Sequence, residues 1–251
     1  MDLPPALLGA IAAARRPVVL SGAGMSAESG VPTFRDALDG LWSRYRPEEL
    51  ATPEAFAADP GLVWRWYRWR RDLVAEAKPN PGHRALVDLA GLAPGLRIIT
   101  QNVDGLHQDA GSTEVIELHG NLFADICSRD RAPVSVSGET AGDEPPACPR
   151  CGAPVRPGVV WFGEFLPEAA FAEARALAAG CDLFLSIGTS SLVSPAADLA
   201  WLAMNADATI VEINPDRTPL TPHCDHVVTG PSGMVLPALV DGLRELHTTG
   251  D

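Results

Sequence analysis

The chain has 251 residues, of which 46% are apolar and 20% are charged, and its formal net charge is −13 at pH 7. This composition is typical of a folded globular protein and excludes a disordered chain. The acidic balance argues against nucleic acid as a direct ligand, and no apolar run approaches the length of a membrane span. The first arginines follow the apolar part of the amino terminus, which is the wrong order for a signal peptide. We therefore expect a cytoplasmic protein, and its oligomeric state stays open.

Short apolar runs recur along the chain, with helical patterns between them. Runs rich in Val, Ile and Leu without polar alternation are typical of parallel strands buried on both faces. The predicted strands are residues 17–20, 96–99, 115–118, 159–161, 183–187, 208–213 and 226–228. The predicted helices are residues 3–14, 81–89, 167–179, 195–204 and 234–246. This pattern predicts an α/β fold with a Rossmann-like, doubly wound parallel sheet.

Two segments interrupt the alternation. Residues 36–80 carry a helical pattern rich in aromatic side chains, and residues 121–158 are rich in Pro, Gly and Cys. We expect one domain over residues 1–251, with a helical insertion at 36–80 and a small cysteine-containing insertion at 121–158.

A glycine-rich turn follows the first predicted strand. It fits the G-x-G-x-x-G/A pattern, in which the backbone approaches a pyrophosphate at a helix start. The residues that carry it are Gly22, Ala23, Gly24, Ser26 and Ala27. In a hydride-transfer enzyme the helix would continue to a second strand, but here Gly30 and Pro32 end it within about two turns. The turn predicts a dinucleotide site whose second half is a loop.

Polar residues follow the predicted strands, and His119 is the most informative of them. The carboxyl ends of parallel strands meet at one edge of an open α/β sheet, where ligands bind. An imidazole at that edge suits general base chemistry near neutral pH, although a lone histidine is more often a hydrogen-bonded structural group. His83 and His107 are better interpreted as packing or capping groups at helix starts.

Seven motifs, in order along nearly the whole chain, together resemble the sirtuins, the NAD-dependent protein-lysine deacylases. They are GAGMS (22–26), GVPTFR (30–35), QNVDGLH (101–107), LHGN (118–121), VVWFGE (159–164), GTSSLVSPAA (188–197) and EIN (212–214). Each motif alone is weak, but the ordered set is very specific. The resemblance implies that NAD is a co-substrate whose nicotinamide is cleaved away.

The resemblance also implies roles for single residues. Phe34 would shield the ribose carbon from water, and Arg35 would help to hold the loop and the ribose. Gln101, Asn102 and Asp104 would line the nicotinamide pocket and order the ribose hydroxyls. The other implied NAD contacts are the glycine-rich turn already named and Gly188, Thr189, Ser190, Asn214 and Ser232.

The implied reaction removes an acyl group from lysine in a protein or peptide. The acyl oxygen attacks the ribose carbon as nicotinamide leaves, and His119 acts as the general base on a ribose hydroxyl, with Asn102 and Asp104 as further catalytic residues. The products are lysine, nicotinamide and O-acyl-ADP-ribose. The peptide would add as a strand between two segments, which contain Phe162, Gly163, Glu164, Leu192 and Val193.

Two other functions are compatible with an NAD cleft. A mono-ADP-ribosyltransferase would transfer ADP-ribose from NAD to protein, and a non-catalytic module would bind NAD without releasing nicotinamide. The presence of His119 and Asn102 argues against the second of these.

Cysteines in the second insertion resemble the structural zinc module of the sirtuins. Cys148 and Cys151 form one C-x-x-C pair, but the place of the other pair holds Cys127 and Asp130. A carboxylate can ligate zinc, so these four residues are a tenable tetrahedral set. Three cysteines with water, or a module without metal, are the alternatives.

Tyr67 and Arg70 lie three residues apart in the helical insertion, a spacing that places both side chains on one helix face. They match the pair that binds the acyl carboxylate in class III, desuccinylase-like sirtuins. The resemblance therefore implies desuccinylase and demalonylase activity beside deacetylation. The alternative is an amphipathic helix with an aromatic stripe and solvated arginines.

Overall fold

Six parallel strands form the central sheet in a computed structural model that describes residues 1, 3–31, 46–136 and 142–249. Two further strands pair with each other outside it. In chain order the strands are β1 Pro17–Ser21, β2 Arg97–Thr100, β3 Val115–Glu117, β4 Gly120–Cys127, β5 Val155–Val159, β6 Leu183–Ile187, β7 Thr209–Asn214 and β8 His226–Thr229. The spatial order of the parallel sheet is β3-β2-β1-β6-β7-β8, with β1 paired in parallel to both β2 and β6.

The strand order reverses between β1 and β6. From β1 the sheet grows through β2 and β3 to one side, and then continues from β6 on the other side. The loops that leave the carboxyl ends of β1 and β6 therefore diverge and open a crevice, where α/β sheets bind ligands. The predicted doubly wound fold is confirmed, and it places the glycine-rich turn at this crevice.

Helices cover both faces of the sheet. In chain order the helices of the described residues are α1 Pro5–Ala13, α2 Pro47–Leu50, α3 Pro53–Ala58, α4 Pro60–Ala75, α5 Pro81–Leu92, α6 Leu106–Ala110, α7 Glu168–Gly180, α8 Asp198–Met204 and α9 Ser232–Thr249. One core joins α1, α5 and α9 to the first face, and a second core joins α7 and α8 to the other. These two cores account for the near-continuous apolar runs of the strands.

Local sequence explains where the main helices begin. Asn80 caps α5 by accepting from the backbone N–H of Gly82 and of His83, and the His83 imidazole accepts from the Asn80 N–H in return. Asp59 caps α4 through the Leu62 N–H at 2.8 Å. Proline is the first residue of both helices, where a missing N–H is harmless.

The turn after β1 ends as the sequence predicts. It forms two short 3₁₀ turns, Ala23–Met25 and Ala27–Ser29, and then stops at Gly30. Gly30 has φ = +78°, a left-handed conformation that favours glycine.

One predicted strand belongs elsewhere. Residues 159–161 were assigned to the parallel sheet, but Val159 is the last residue of β5, which pairs antiparallel with β4 in the small sheet. An apolar run does not reveal which sheet it joins, and β4 escaped prediction because a register irregularity between Gly120 and Asp125 breaks its alternation.

The two predicted insertions meet through two side-chain clusters. One joins α2, α3 and α4 to β4, β5 and Trp161, and the other packs Trp64 of α4 against the cysteines. The division into one domain with insertions at 36–80 and 121–158 remains a prediction. Over the parts of the chain described above, no helix combines the length and the hydropathy that a membrane span requires.

Candidate active site

Glycines let the loops after β1 and β6 touch at the crevice. The Gly24 N–H donates to the Gly188 carbonyl at 2.8 Å, and a Cβ on Gly22 or Gly24 would lie 2.8 Å from backbone atoms of the 188–189 segment. Gly188 has φ = +59°, and a Cβ there would lie 2.4 Å from the Met25 nitrogen. These positions therefore require glycine for contact between the two loops, before any cofactor is considered.

Three predicted site residues form one buried network. The Ser26 hydroxyl donates to Asp104 Oδ2 at 2.7 Å, and Asn102 Nδ2 donates to Ser26 Oγ at 3.0 Å. The other oxygen, Asp104 Oδ1, accepts from the Leu106 N–H at 2.9 Å. Burial raises the pKa of Asp104, while the Leu106 and Ser26 bonds oppose that rise. The network fixes the orientation of the Asn102 amide.

His119 has one ring nitrogen engaged. Its Nδ1 lies 2.9 Å from the Gln101 carbonyl oxygen. Because a carbonyl only accepts, Nδ1 carries the proton, and in the neutral ring Nε2 carries the lone pair. Burial lowers the pKa of His119, and the Gln101 bond opposes that shift. The imidazole is therefore neutral at neutral pH and suited to accept a proton at Nε2.

The remaining predicted NAD residues lie around these loops. Gln101 Nε2 donates to the Thr189 hydroxyl at 3.0 Å, and Asn214, at the end of β7, donates to the Asp216 carbonyl. Ala23 and Ala27 are exposed, and Ser190 is half-buried. Phe34 and Arg35 lie outside the described residues.

Ser232, at the start of α9, is buried, and its Oγ has no hydrogen-bond partner among the described residues. Glu28 joins this helix start to the turn after β1, since its carboxylate accepts from the Gly233 N–H at 2.6 Å. Local sequence gives no signal for this role of Glu28, because its partner lies 205 residues away. Tight glycine loops, a buried serine without a partner and the Asn102 network all suit an adenine dinucleotide.

A second buried network lies beneath this site. Ser21, at the end of β1, bonds both Thr100 and His107 at 2.8 Å, and Thr100 accepts from the Asn102 N–H. The His107 ring contacts the His83 ring, with 5.0 Å between centroids. Both histidines are buried, as their predicted structural role requires.

Tyr67 and Arg70 lie where α4 meets the chain after β5. The Tyr67 side chain is 4% exposed, and its hydroxyl accepts from Trp161 Nε1 at 2.9 Å. Burial raises the pKa of Tyr67 to about 12. The Arg70 guanidinium lies 5.2 Å from the centre of the Trp66 ring, and burial lowers its pKa. Tyr67 is thus protonated at neutral pH, with its own proton left to donate.

The segment after β5 also contacts His119, the predicted general base. The Val160 N–H donates to the His119 carbonyl at 2.9 Å, one residue before Trp161. Two consecutive residues therefore contact the two predicted groups: Val160 bonds His119, the predicted general base, and Trp161 bonds Tyr67 of the predicted acyl pair. Trp161 lies inside the VVWFGE motif (159–164), but local sequence gives no signal for its contact with Tyr67.

The residues predicted to bind peptide differ in character. Phe162, Leu192 and Val193 are 48%, 58% and 41% exposed. Gly163 has φ = +86°. Glu164 is engaged within the protein, because its carboxylate pairs with Arg156 at 2.7 Å and accepts from the Trp161 N–H at 2.8 Å.

The cysteines converge as the zinc prediction requires. The sulfur atoms of Cys127, Cys148 and Cys151 all lie within 4.8 Å of one another. Three thiols at this spacing fit zinc, which takes a fourth ligand. Asp130 is not in this group: its carboxylate accepts from the Ala132 N–H at 3.0 Å and from Arg150 at 3.2 Å. The four-ligand set that includes Asp130 remains a prediction. The other two cysteines do not belong to this group: Cys181 is buried and Cys224 is half-buried.

Comparison with known proteins agrees with this geometry. The Sir2 family model matches residues 22–195. NAD-dependent protein deacylase 1 of Pseudomonas aeruginosa is 53% identical over 242 residues, which cover 94% of this chain and 97% of that protein. A solved complex of a Sir2 homologue with NAD has a TM-score of 0.91 at 45% identity, covering 98% of this chain and 95% of that one. A mutant Sir2 homologue with 2'-O-acetyl ADP ribose has a TM-score of 0.89 at 46% identity, with 97% and 98% covered. The chain belongs to the Sir2 family.

Proposed function

We propose that this chain is an NAD-dependent protein-lysine deacylase that removes acetyl groups and also the acidic succinyl and malonyl groups. Nicotinamide and O-acyl-ADP-ribose are the other products. The observation that carries the proposal is the half-buried His119, whose Nδ1 is held by the Gln101 carbonyl beside the Ser26, Asn102 and Asp104 network.

His119 is the general base of the proposed reaction. Its lowered pKa keeps the imidazole neutral at neutral pH, so Nε2 can take a proton from a ribose hydroxyl. The Gln101 bond fixes the tautomer and the ring orientation, because rotation of the ring would break it. NAD, when bound, supplies a ribose carbon that becomes electrophilic as nicotinamide departs.

Asn102 and Asp104 order the ligand in this proposal. One Nδ2 hydrogen of Asn102 donates to Ser26, which orients the amide so that its Oδ1 can accept from the ligand. Asp104 accepts from Ser26 and Leu106, which holds the carboxylate in one orientation. Such preorganised groups need no rearrangement during the reaction.

The acidic acyl preference rests on Tyr67 and Arg70. An acyl carboxylate in a buried pocket requires charged or hydrogen-bonding partners, since an unpaired charge there is unfavourable. Arg70 supplies a buried guanidinium and the protonated Tyr67 hydroxyl supplies a donor, and both groups can form charge-assisted hydrogen bonds with a carboxylate. The contact of both side chains with buried tryptophans favours this role over a solvated helix face.

The protein substrate binds on the segments around Phe162 and Leu192. Both side chains are large, apolar and substantially exposed, which suits a peptide added as a strand with pockets for its side chains. Zinc, held by the three cysteines with Asp130 or water as the fourth ligand, would stabilise the fold of this region rather than take part in the reaction.

The test compares acetyl-lysine and succinyl-lysine forms of one peptide. Arg70→Met is expected to lower desuccinylation efficiency by roughly 10- to 150-fold, the contribution of one charge-assisted hydrogen bond, with little effect on deacetylation. Tyr67→Phe is expected to do the same more weakly. The matched control is Arg68→Met on the same helix, because the Arg68 guanidinium donates to the Gly142 carbonyl instead.

Equal losses of both activities in Arg70→Met would contradict the acyl preference. Radiolabel transferred from NAD to protein, with the peptide still acylated, would favour the ADP-ribosyltransferase. NAD binding without nicotinamide release would favour the non-catalytic module.

A further inference from the structure

Within the described residues, the Trp161 indole donates a hydrogen bond to the Tyr67 hydroxyl. Its Nε1–H donates to Tyr67 Oη at 2.9 Å, and the two rings stack with 6.3 Å between centroids. Indole is only a donor, so the Tyr67 oxygen must accept. The Tyr67 proton is then directed away from Trp161.

Trp161 is itself held on several sides. The Arg156 guanidinium lies 3.3 Å from the centre of its ring, and Phe56 packs against it with 5.2 Å between ring centroids. Its backbone N–H donates to Glu164, whose carboxylate also pairs with Arg156. These bonds to Trp161 and Arg156 explain why the Glu164 carboxylate, which was predicted to bind substrate, points into the protein.

We infer that Trp161 is a positioning residue for acyl selection, which orients the Tyr67 hydroxyl as a hydrogen-bond donor toward an acyl carboxylate. The inference rests on the proposed acidic acyl preference. A carboxylate accepts only, so a Tyr67 hydroxyl that donated elsewhere would lose this bond. An acetyl group has no carboxylate and gains nothing from the orientation.

The enzymatic test uses Trp161→Phe, which keeps the stacked ring and removes the N–H. We expect a roughly 2- to 12-fold loss of catalytic efficiency on the succinyl peptide, the loss of one neutral hydrogen bond, seen mainly in KM. Efficiency on the acetyl peptide should stay within about twofold, since that substrate lacks the carboxylate. In a Tyr67→Phe background the same substitution should cause no further selective loss.

The control is Trp201→Phe, which removes a partly exposed tryptophan from α8. Equal losses on both peptides in Trp161→Phe, or a selective loss that persists without the Tyr67 hydroxyl, would overturn the inference. A parent enzyme that does not cleave the succinyl peptide at all would overturn the acidic acyl preference and the inference with it.

A second measurement does not depend on how Trp161→Phe folds. The six tryptophans give few indole N–H resonances in ¹⁵N-tryptophan-labelled protein. Tyr67→Phe should move one of them upfield, because it removes that proton's acceptor. In the parent, the succinyl peptide should shift the same resonance more than the acetyl peptide does. No shifted resonance in Tyr67→Phe would overturn the inference.

Discussion

The buried pair of His83 and His107 predicts acid destabilisation of the folded protein. Burial lowers the pKa of His83 to about 3 and that of His107 to about 4, from an ordinary value of 6.5. His83 Nδ1 accepts the Asn80 N–H, so its protonation would break one of the bonds of the capping box of α5. His107 Nδ1 is buried without a partner among the described residues.

The sign and the size follow from these values. Below pH 6.5 the two histidines bind protons in the unfolded chain but not in the folded chain. The free energy of unfolding therefore falls as pH falls. At pH 5 each histidine is protonated only in the unfolded chain. The loss between pH 7 and pH 5 is then about 2 kcal/mol for each histidine, or about 4 kcal/mol together. His119 contributes in the same direction.

Urea unfolding at pH 7 and pH 5 measures this loss. His83→Asn places an amide near Nδ1, and His107→Gln places an amide near Nε2, which are the bonded nitrogens. Both variants remove the titrating ring, so each should reduce the pH-dependent loss by about 2 kcal/mol. His226→Asn controls for the removal of an imidazole outside the pair. Variants that lose as much stability as the parent between the two pH values would refute the reasoning.

Three further outcomes follow from the site. His119→Ala should keep NAD binding and lower deacylation by about 10²- to 10⁴-fold, measured as turnover, and near-normal activity would remove its role as base. Gly188→Ala, whose Cβ would collide with backbone at φ = +59°, should lower the free energy of unfolding by about 1–3 kcal/mol and weaken NAD binding by calorimetry, while Gly91→Ala, with open space around it, should not. Cys148→Ser should lower bound zinc by elemental analysis and also the melting temperature. A protein purified without zinc, whose melting does not respond to a chelator, would contradict the metal site.

The sequence was sufficient to predict the parallel sheet, because buried parallel strands leave long apolar runs. It also placed His119 at the carboxyl edge, since that position depends only on where a strand ends. The early end of the turn after β1 could be predicted because Gly30 and Pro32 restrict the backbone of their own segment, whatever their tertiary contacts.

The sequence was insufficient where a residue's partner is distant. The bond from Trp161 to Tyr67 spans 94 residues, and the bond from Gly233 to Glu28 spans 205. No local pattern records such contacts. The wrong assignment of residues 159–161 to the parallel sheet has the same origin, because an apolar run does not show which strand it pairs with, and Val159 pairs with β4.

Product analysis with NAD and one peptide, in acetyl-lysine and succinyl-lysine forms, tests the proposed function most directly. For each peptide form, mass spectrometry should detect nicotinamide, deacylated peptide and O-acyl-ADP-ribose in equimolar amounts. None of these products should form when NAD is left out. Acyl loss without consumption of NAD, or NAD consumed while the peptide stays acylated, would contradict the proposed reaction.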